Sequence, residues 1–341
     1  MSWGGPYEEG VSQSLLNKYL ECPYRFYIYA ILGLEEKRQP EPNLIWGDTE
    51  HKGLELLIEK PGLSRDFSQE EWQAIDDEMD KHLQQYSPYP PSFPFSVKEM
   101  LRLYSDEYKL DNLPFETERK FKIPYSTGRN QLFLRGKLDG VNEHTIVEHK
   151  CKGKLSPEQM RDEVPEDLQI NMYILAYQHF FETDNIPGII YDNIRIPDTQ
   201  FYIPERRQRQ TIKNWVEDLY HTRDSGDFPV KKKRGLWLDQ AYIPIEREQH
   251  DRFKKFTLNP LLDLICAWWK HVNRKGFNIE DPDCYNELFY RVPVRHFNPS
   301  NTENYKCSYH GFLTGSLSLD DLTPVRSYFP ELEVVKSGEP D

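Results

Sequence analysis

Long apolar runs are missing from this chain. No stretch approaches the roughly 20 consecutive apolar residues that span a bilayer, so no transmembrane helix and no membrane partner is expected. The first residues, MSWGGPYEEG, have neither the basic start nor the apolar segment of a secretory leader. Cysteine is scarce, with five residues scattered over 341. An odd, dispersed set argues against a disulfide framework and for a reducing, intracellular compartment. Positive charge is in deficit, the formal balance being −13. That argues against a protein that grips nucleic acid with its whole surface. It leaves room for a local basic cleft, or for metal ions held by acidic side chains. There is no internal repeat, no low-complexity tract and no phosphate-binding GxxxxGK[ST] loop, so any duplex unwinding falls to another chain.

What is present is enough apolar material for a sizeable core. The hydrophobic fraction is 38%, aromatics reach 13%, and 21 of them are Tyr, which packs and still offers a polar edge. The length suits one large elaborated domain or two.

The first hundred residues read as helices. In SQSLLNKYLECPYRFYIYAILGL, Ser12 or Ser14 is an N-cap and Leu15, Leu16, Tyr19 and Leu20 recur at helical spacing. Pro23 falls within the pattern, so one helix is expected to end near Glu21 and another to start at the proline. NLIWGDTEHKGLELLIEK is a further helix despite Gly47 and Gly53, and Ser68 with Glu71 forms a capping-box pattern before the next. Residues 88 to 94 are proline-rich and read as a loop, followed by a helix near 96 to 110.

The texture then changes. FETERKFKIPY, QLFLRGKLDGV and TIVEHKCK are short β-prone runs between turn residues, an antiparallel meander. PEDLQINMYILAYQHFF follows as a helix with Leu168, Met172, Leu175 and Ala176 on one face, then GIIYDNIRI as a buried strand. A helix is expected near 205 to 224, and another in PLLDLICAWWKHV before an irregular tail. This order indicates an α/β core inside a helical wrapping.

Asp139 precedes the turn near NEH, and Glu148 and Lys150 follow it. Alternate residues of a strand share a face, so Glu148 and Lys150 point together, His149 points away, and Asp139 meets them across the strand pair. Two converging carboxylates repel, which favours a divalent cation between them. Mg²⁺ needs only one or two carboxylates plus water and phosphate oxygens, and such an ion lowers the pKa of a water. Lys150 would orient that water or offset developing charge. Taken alone, the pattern is more often a solvated Glu–Lys pair than a metal site.

The surrounding motifs resemble the PD-(D/E)XK nuclease superfamily, in particular its RecB-like branch, which includes AddB nuclease domains, CRISPR adaptation nucleases and phage exonucleases. GKLDGV looks like the branch's second motif, with Asp139 as metal ligand. IVEHK looks like the third, with Glu148 as metal ligand and Lys150 as catalytic lysine. QINMY matches the QxxxY element, giving Gln169 and Tyr173 four residues apart on one helix face. GDTEHKGLE resembles the helical motif whose histidine, here His51, lies beside the metal, and LNKYLECPYRFYI resembles the N-terminal signature. The motifs stand in the family's order over residues 12 to 177. Two departures are Glu148, where most RecB-like members carry Asp, and Cys151, where a small hydroxyl residue commonly follows the lysine.

The resemblance implies an α/β fold with a central mixed β-sheet of the restriction-endonuclease-like nuclease core, flanked and wrapped by helices. It implies a helical part over 1–110, the nuclease core over 111–225, and a C-terminal helical and irregular extension over 226–341. It further implies a Mg²⁺- or Mn²⁺-dependent deoxyribonuclease, of exonuclease type, acting on single-stranded DNA or duplex ends beside a separate helicase or recombination protein, in the cytoplasm of a bacterial or phage-infected cell. The rival expectations are a catalytically inactive nucleic-acid-binding module on the same fold and an acidic protein-interaction module.

Several relatives hold an iron–sulfur cluster with one cysteine from the first helices and three near the C-terminus. Cys22, Cys284 and Cys307 occupy such positions, and His310 stands where the last cysteine would be, a Cys₃His set suited to a cluster or to zinc. Free buried cysteines are the simpler expectation. Arg25, Lys152 and Lys154 are candidates for DNA contact. The run VKKKRG (230 to 235) reads equally as a solvated loop, and Trp237, Trp268 and Trp269 read as core or interface residues rather than base-stacking ones.

Overall fold

The computed structural model describes residues 3–36, 42–58, 67–89, 93–107, 116–152, 157–195, 238–275, 277 and 322–324. The chain divides into two compact units that interleave in sequence. One comprises Met1–Arg38, Lys122–Gly136 and Lys255–Asp341, the other Gln39–Phe121 and Lys137–Lys254.

In the first unit, α1 (Gln13–Glu21) is capped by Ser12, whose hydroxyl accepts from Leu15 N, and α2 (Pro23–Ala30) begins at the proline. Both boundaries are those the sequence dictates. A short strand β1 (Leu34–Glu36) follows and pairs antiparallel with the C-terminal β7 (Leu322–Pro324). The C-terminal strand thus pairs with the strand that follows the N-terminal helices. Helix α9 (Asn259–Val272) presents Trp268 edge-on to Phe26 at 4.9 Å, and Trp269 edge-on to Trp3 at 5.0 Å. The two tryptophans therefore pack, as the sequence suggests.

In the second unit, α3 (Pro42–Ile58), α4 (Gln69–Gln84) and α5 (Phe93–Glu107) form a helical layer. The Ser68–Glu71 capping box opens α4, with both reciprocal hydrogen bonds made. Trp46, Leu54, Met79, Leu83, Val97 and Leu101 are wholly buried between these helices. The expected loop over 88 to 94 ends sooner than its prolines suggest. Helix α5 already begins at Phe93, because Pro94 sits in a first turn, where its missing N–H has no partner to lose.

The sheet has five strands in the order β2 (Glu116–Ser126), β3 (Gln131–Val141), β4 (Thr145–Lys152), β5 (Gly188–Arg195), β6 (Leu238–Ile243). β3 and β4 pair antiparallel, β4 and β5 parallel, β5 and β6 antiparallel. The sheet is therefore mixed and flanked by helices, an α/β restriction-endonuclease-like arrangement. The turn after β3 is pinned by Asn142, whose side chain accepts from His144 N and Thr145 N. The parallel step from β4 to β5 needs a crossover. It is made by α6 (Pro157–Glu163), a single 3₁₀ turn (Val164–Glu166) and α7 (Leu168–Phe180).

Two sequence expectations need correction. Leu168 and Leu175 are only half-buried, and α7 instead buries Ile170, Met172, Tyr173, Ile174, Ala176 and Tyr177, more than one stripe, because it is covered on two sides. Strand β6 and the helix α8 (Arg247–Phe253) were not anticipated, since LDQAYI is too short and too polar to signal a strand. The helix expected near 205 to 224 lies outside the described residues.

Candidate active site

The site belongs to the second unit, at the edge where β3 and β4 part. In β3, Leu138 is buried and Asp139 turns to the opposite face, as pleating requires. The described β3–β4 register covers Gly140↔Val147 and Val141↔Ile146. Beyond it, Asp139 Oδ2 accepts from the main-chain N of His149 at 2.9 Å, so a side chain takes the place of a ladder carbonyl.

Along β4, Glu148 and Lys150 share one face and form an ion pair. Lys150 Nζ also donates to Gln169 Oε1 at 2.7 Å, and Gln169 Nε2 donates to Tyr173 OH at 2.6 Å. Tyr173 OH in turn donates to the carbonyl of Lys137. Gln169 and Tyr173 lie one turn apart on α7, whose N-cap Asp167 accepts from Gln169 N and Ile170 N. The cap fixes the first turn of α7 and hence Gln169.

Helix α3 supplies the other wall. Gly47 lies directly over Cys151, where an added Cβ would stand 3.2 Å from the cysteine's own Cβ. This close approach brings His51 over the strand ends, with Nδ1 3.8 Å from Asp139 Oδ2. A cleft of about 570 Å³ results, lined by His51, Asp139, Lys150, Gln169, Tyr173 and Lys137 together with Asp48 and Tyr86. Glu148, fully buried, reaches it through Lys150. Of the six residues expected at one centre, Asp139, Lys150, His51, Gln169 and Tyr173 line this cleft, and Glu148 is buried behind Lys150.

Electrostatics show what the cleft lacks. Burial first, and the Asp139 charge second, push the Glu148 carboxyl up to about 8 against the pull of Lys150. Burial works against the charge on Lys150, but Glu148 outweighs it and holds the ammonium above its ordinary range. His51 is lowered, chiefly by burial, with Asp139 opposing, so a neutral imidazole faces the carboxylates. Glu148 Oε2 is buried without a hydrogen-bond partner. An orphaned carboxylate oxygen beside a second carboxylate is the environment of a hard divalent cation.

Among the described residues no group of three or more His, Cys, Asp or Glu side chains is gathered closely enough to hold a metal ion unaided. The expected set His51, Asp139 and Glu148 thus forms no closed cage: His51 and Asp139 line the cleft, and Glu148 is buried and paired to Lys150. That suits Mg²⁺, which keeps water and takes phosphate oxygens from substrate. The residues that would hold it are Asp139 and Glu148, with His51 alongside. When bound, such an ion would acidify a water and neutralise charge on a phosphoryl oxygen.

Three charged or polar groups were missed from sequence. Asp48 lines the same cleft, held by His82 Nε2 at 2.5 Å and Tyr86 OH at 2.6 Å. Asp192 on β5 and Glu50 on α3 are wholly buried. A lone Asp inside the apolar run GIIYDNIRI was the signal for Asp192.

The remaining candidates fare differently. Cys22 is buried in the first unit, while Cys284, Cys307 and His310 lie outside the described residues, as do Lys154 and the VKKKRG run. The side chains of Arg25 and Lys152 are likewise outside the description. Among the described residues no helix is long and apolar enough to cross a membrane.

Comparison with known proteins bears on the same segment. Neither a curated protein nor a solved structure gives a significant match. A family model described as the PD-(D/E)XK nuclease superfamily matches residues 10–240, about two-thirds of the chain, a span that includes His51, Asp139, Glu148, Lys150, Gln169 and Tyr173. The chain belongs to the PD-(D/E)XK nuclease superfamily.

Proposed function

We propose that the protein is a RecB-like, Mg²⁺- or Mn²⁺-dependent deoxyribonuclease that hydrolyses phosphodiester bonds as an exonuclease on single-stranded DNA or duplex ends. The observation that carries this reading is Glu148. It is a fully buried carboxylate with one oxygen paired to Lys150 and the other without a hydrogen-bond partner, within electrostatic reach of the cleft-lining Asp139. A structural ion pair has no use for a second carboxylate beside it, whereas a divalent cation is held by one or two carboxylates plus water and phosphate oxygens.

In this reading Asp139 and Glu148 are metal ligands and His51 completes or buttresses the shell. Lys150, protonated and steered by Gln169, orients the attacking water or offsets charge on the phosphate, and Tyr173 holds Gln169. Arg25, Lys152 and Lys154 contact the DNA backbone. The protein works in DNA processing, repair or recombination in a bacterial or phage-infected cell, with strand separation supplied by a helicase or recombination partner. A cluster or zinc on Cys22, Cys284, Cys307 and His310 is the lesser reading, free cysteines being the simpler one.

The test is incubation of the full chain with end-labelled and circular DNA, single- and double-stranded, in Mg²⁺, Mn²⁺ or EDTA. Cleavage of linear single strands with metal, none with EDTA, and sparing of circles is expected. Asp139→Ala and Lys150→Ala should each lower the rate by about 10²–10³-fold, the scale of losing one preorganised charge at a reacting centre. Wild-type rates in both variants would overturn the assignment.

A further inference from the structure

On the face of β4 away from Lys150, a row of polar residues crosses three strands. The parallel β4–β5 register sets His149 opposite Asp192, and the antiparallel β5–β6 register sets Asp192 opposite Gln240. His149 Nδ1 lies 2.9 Å from Asp192 Oδ2. Tyr104 OH, from α5, donates to the same oxygen at 2.6 Å, and Gln240 Nε2 donates to Oδ1 at 2.6 Å. His149, Asp192 and Tyr104 are all but fully buried. A carboxylate in that environment is tolerable only because two hydrogen-bond donors and the His149 ring converge on it.

Stability alone does not require this arrangement. Apolar residues at the three buried positions would fill the same space without desolvating a charge. What sets the row apart is its other end. The main-chain N–H of His149 holds Asp139 Oδ2, just where the described β3–β4 register has ended, and the His149 ring stands edge-on to His51 with centroids 6.2 Å apart. Its flanking residues in the chain are Glu148 and Lys150.

We propose that His149 is a positioning residue: gripped by Asp192, it fixes the strand segment that presents Asp139, Glu148 and Lys150 and backs the His51 ring, so that the Tyr104–Asp192–Gln240 set governs how tightly the cleft takes a divalent cation. This rests on the nuclease reading above. Sequence alternation alone marks His149 as pointing away from the site, which conceals the role.

The experiment is calorimetric titration of the full chain with Mn²⁺, comparing wild type, Asp192→Asn and Tyr104→Phe, with thermal unfolding of each. Outer partners of metal ligands typically change metal affinity by about 10–100-fold. Asp192→Asn should weaken Mn²⁺ binding within that range and Tyr104→Phe by less. In cleavage assays the lost rate should return as Mn²⁺ is raised, with KM for DNA unchanged. If Asp192→Asn does not fold, Tyr104→Phe, which keeps the ring, decides the question. Wild-type Mn²⁺ affinity in every variant that folds overturns the inference alone. Failure of the wild-type chain to bind Mn²⁺ or cleave DNA overturns the nuclease reading and this inference together.

Discussion

Gln169 accepts a 2.7 Å hydrogen bond from the ammonium of Lys150, across the gap between α7 and β4. Lys150 is otherwise tied to Glu148, so the amide gives the ammonium its second fixed direction. A hydrogen bond to a charged group contributes about 1.5–3 kcal/mol, or roughly 10–100-fold in rate if it is fully expressed in the transition state. Gln169→Leu should therefore lower kcat by that factor while KM for DNA stays near wild type. Tyr173→Phe removes only the hydroxyl between Gln169 and the Lys137 carbonyl and should cost less. Steady-state kinetics on a single-stranded oligonucleotide separate the two effects. An unchanged kcat in Gln169→Leu would remove Gln169 from the site.

Gly47 and Cys151 set the distance between α3 and β4. A Cβ on Gly47 would meet the Cys151 Cβ at 3.2 Å, tighter than ordinary van der Waals contact. Overpacking of a filled interior costs about 1–3 kcal/mol. Gly47→Val is expected to lose that much stability in urea titration, and Cys151→Gly in the same chain, which removes the contacting Cβ, to cost less than the sum of the two single changes, because the two residues share one contact. Additive losses in the double variant would show that the glycine is there for some other reason. The same contact gives a physical reason for a small residue after the lysine, where the resemblance leads one to expect a hydroxyl.

The site was legible because its chemistry is written locally. Glu148 and Lys150 alternate on one strand, Gln169 and Tyr173 are one turn apart, and Asp139 is separated from them by a single turn that Asn142 pins. The helical boundaries at Glu21, Pro23 and Ser68 were legible for the same reason, since caps and prolines act on their neighbours. What escaped is what depends on distant pairing. The row His149–Asp192–Gln240 exists only once β4, β5 and β6 are in register, and β6 itself carries no signal without its partner. The buried face of α7 was misjudged because periodicity reports one stripe, and this helix is covered on two sides.

Glu50 is fully buried, and both its carboxylate oxygens lack a hydrogen-bond partner. Burial pushes its carboxyl well above the ordinary range. With the folded pKa above the unfolded value of about 4.3, the folded state holds the extra proton, so this group makes stability fall as pH rises from about 4 through the folded pKa. Glu50→Gln should flatten that decline and raise stability at pH 8 by about 1–3 kcal/mol, the scale of an unsatisfied buried polar group. Urea titrations at pH 5 and pH 8 check it. A variant that is less stable than wild type at pH 8 would mean that the carboxylate has a partner when the protein is in solution.

His250 behaves in the opposite sense. It is buried on α8, its Nδ1 lies 2.8 Å from Asn171 Oδ1 on α7, and its Nε2 has no hydrogen-bond partner. Burial first, and the Lys254 charge second, lower its pKa to about 4, with Asp251 opposing. An unfolded histidine titrates near 6.5, so between about pH 6.5 and 4 the unfolded chain binds the proton and the folded one does not. The stability from keeping this ring neutral is fully present above about 6.5 and is lost as pH falls towards 4, in all about 3 kcal/mol from the size of the shift. His250→Gln should be less stable at neutral pH, because packing and the Asn171 contact are disturbed, yet lose less on acidification over that window. Since Glu50 slopes the other way in part of the same range, the comparison belongs in the Glu50→Gln background, where that slope is removed and the difference with and without His250 isolates the histidine. Parallel pH profiles with and without His250 there would show that the ring is protonated in the folded protein, and that α8 is held to α7 by something other than a neutral imidazole.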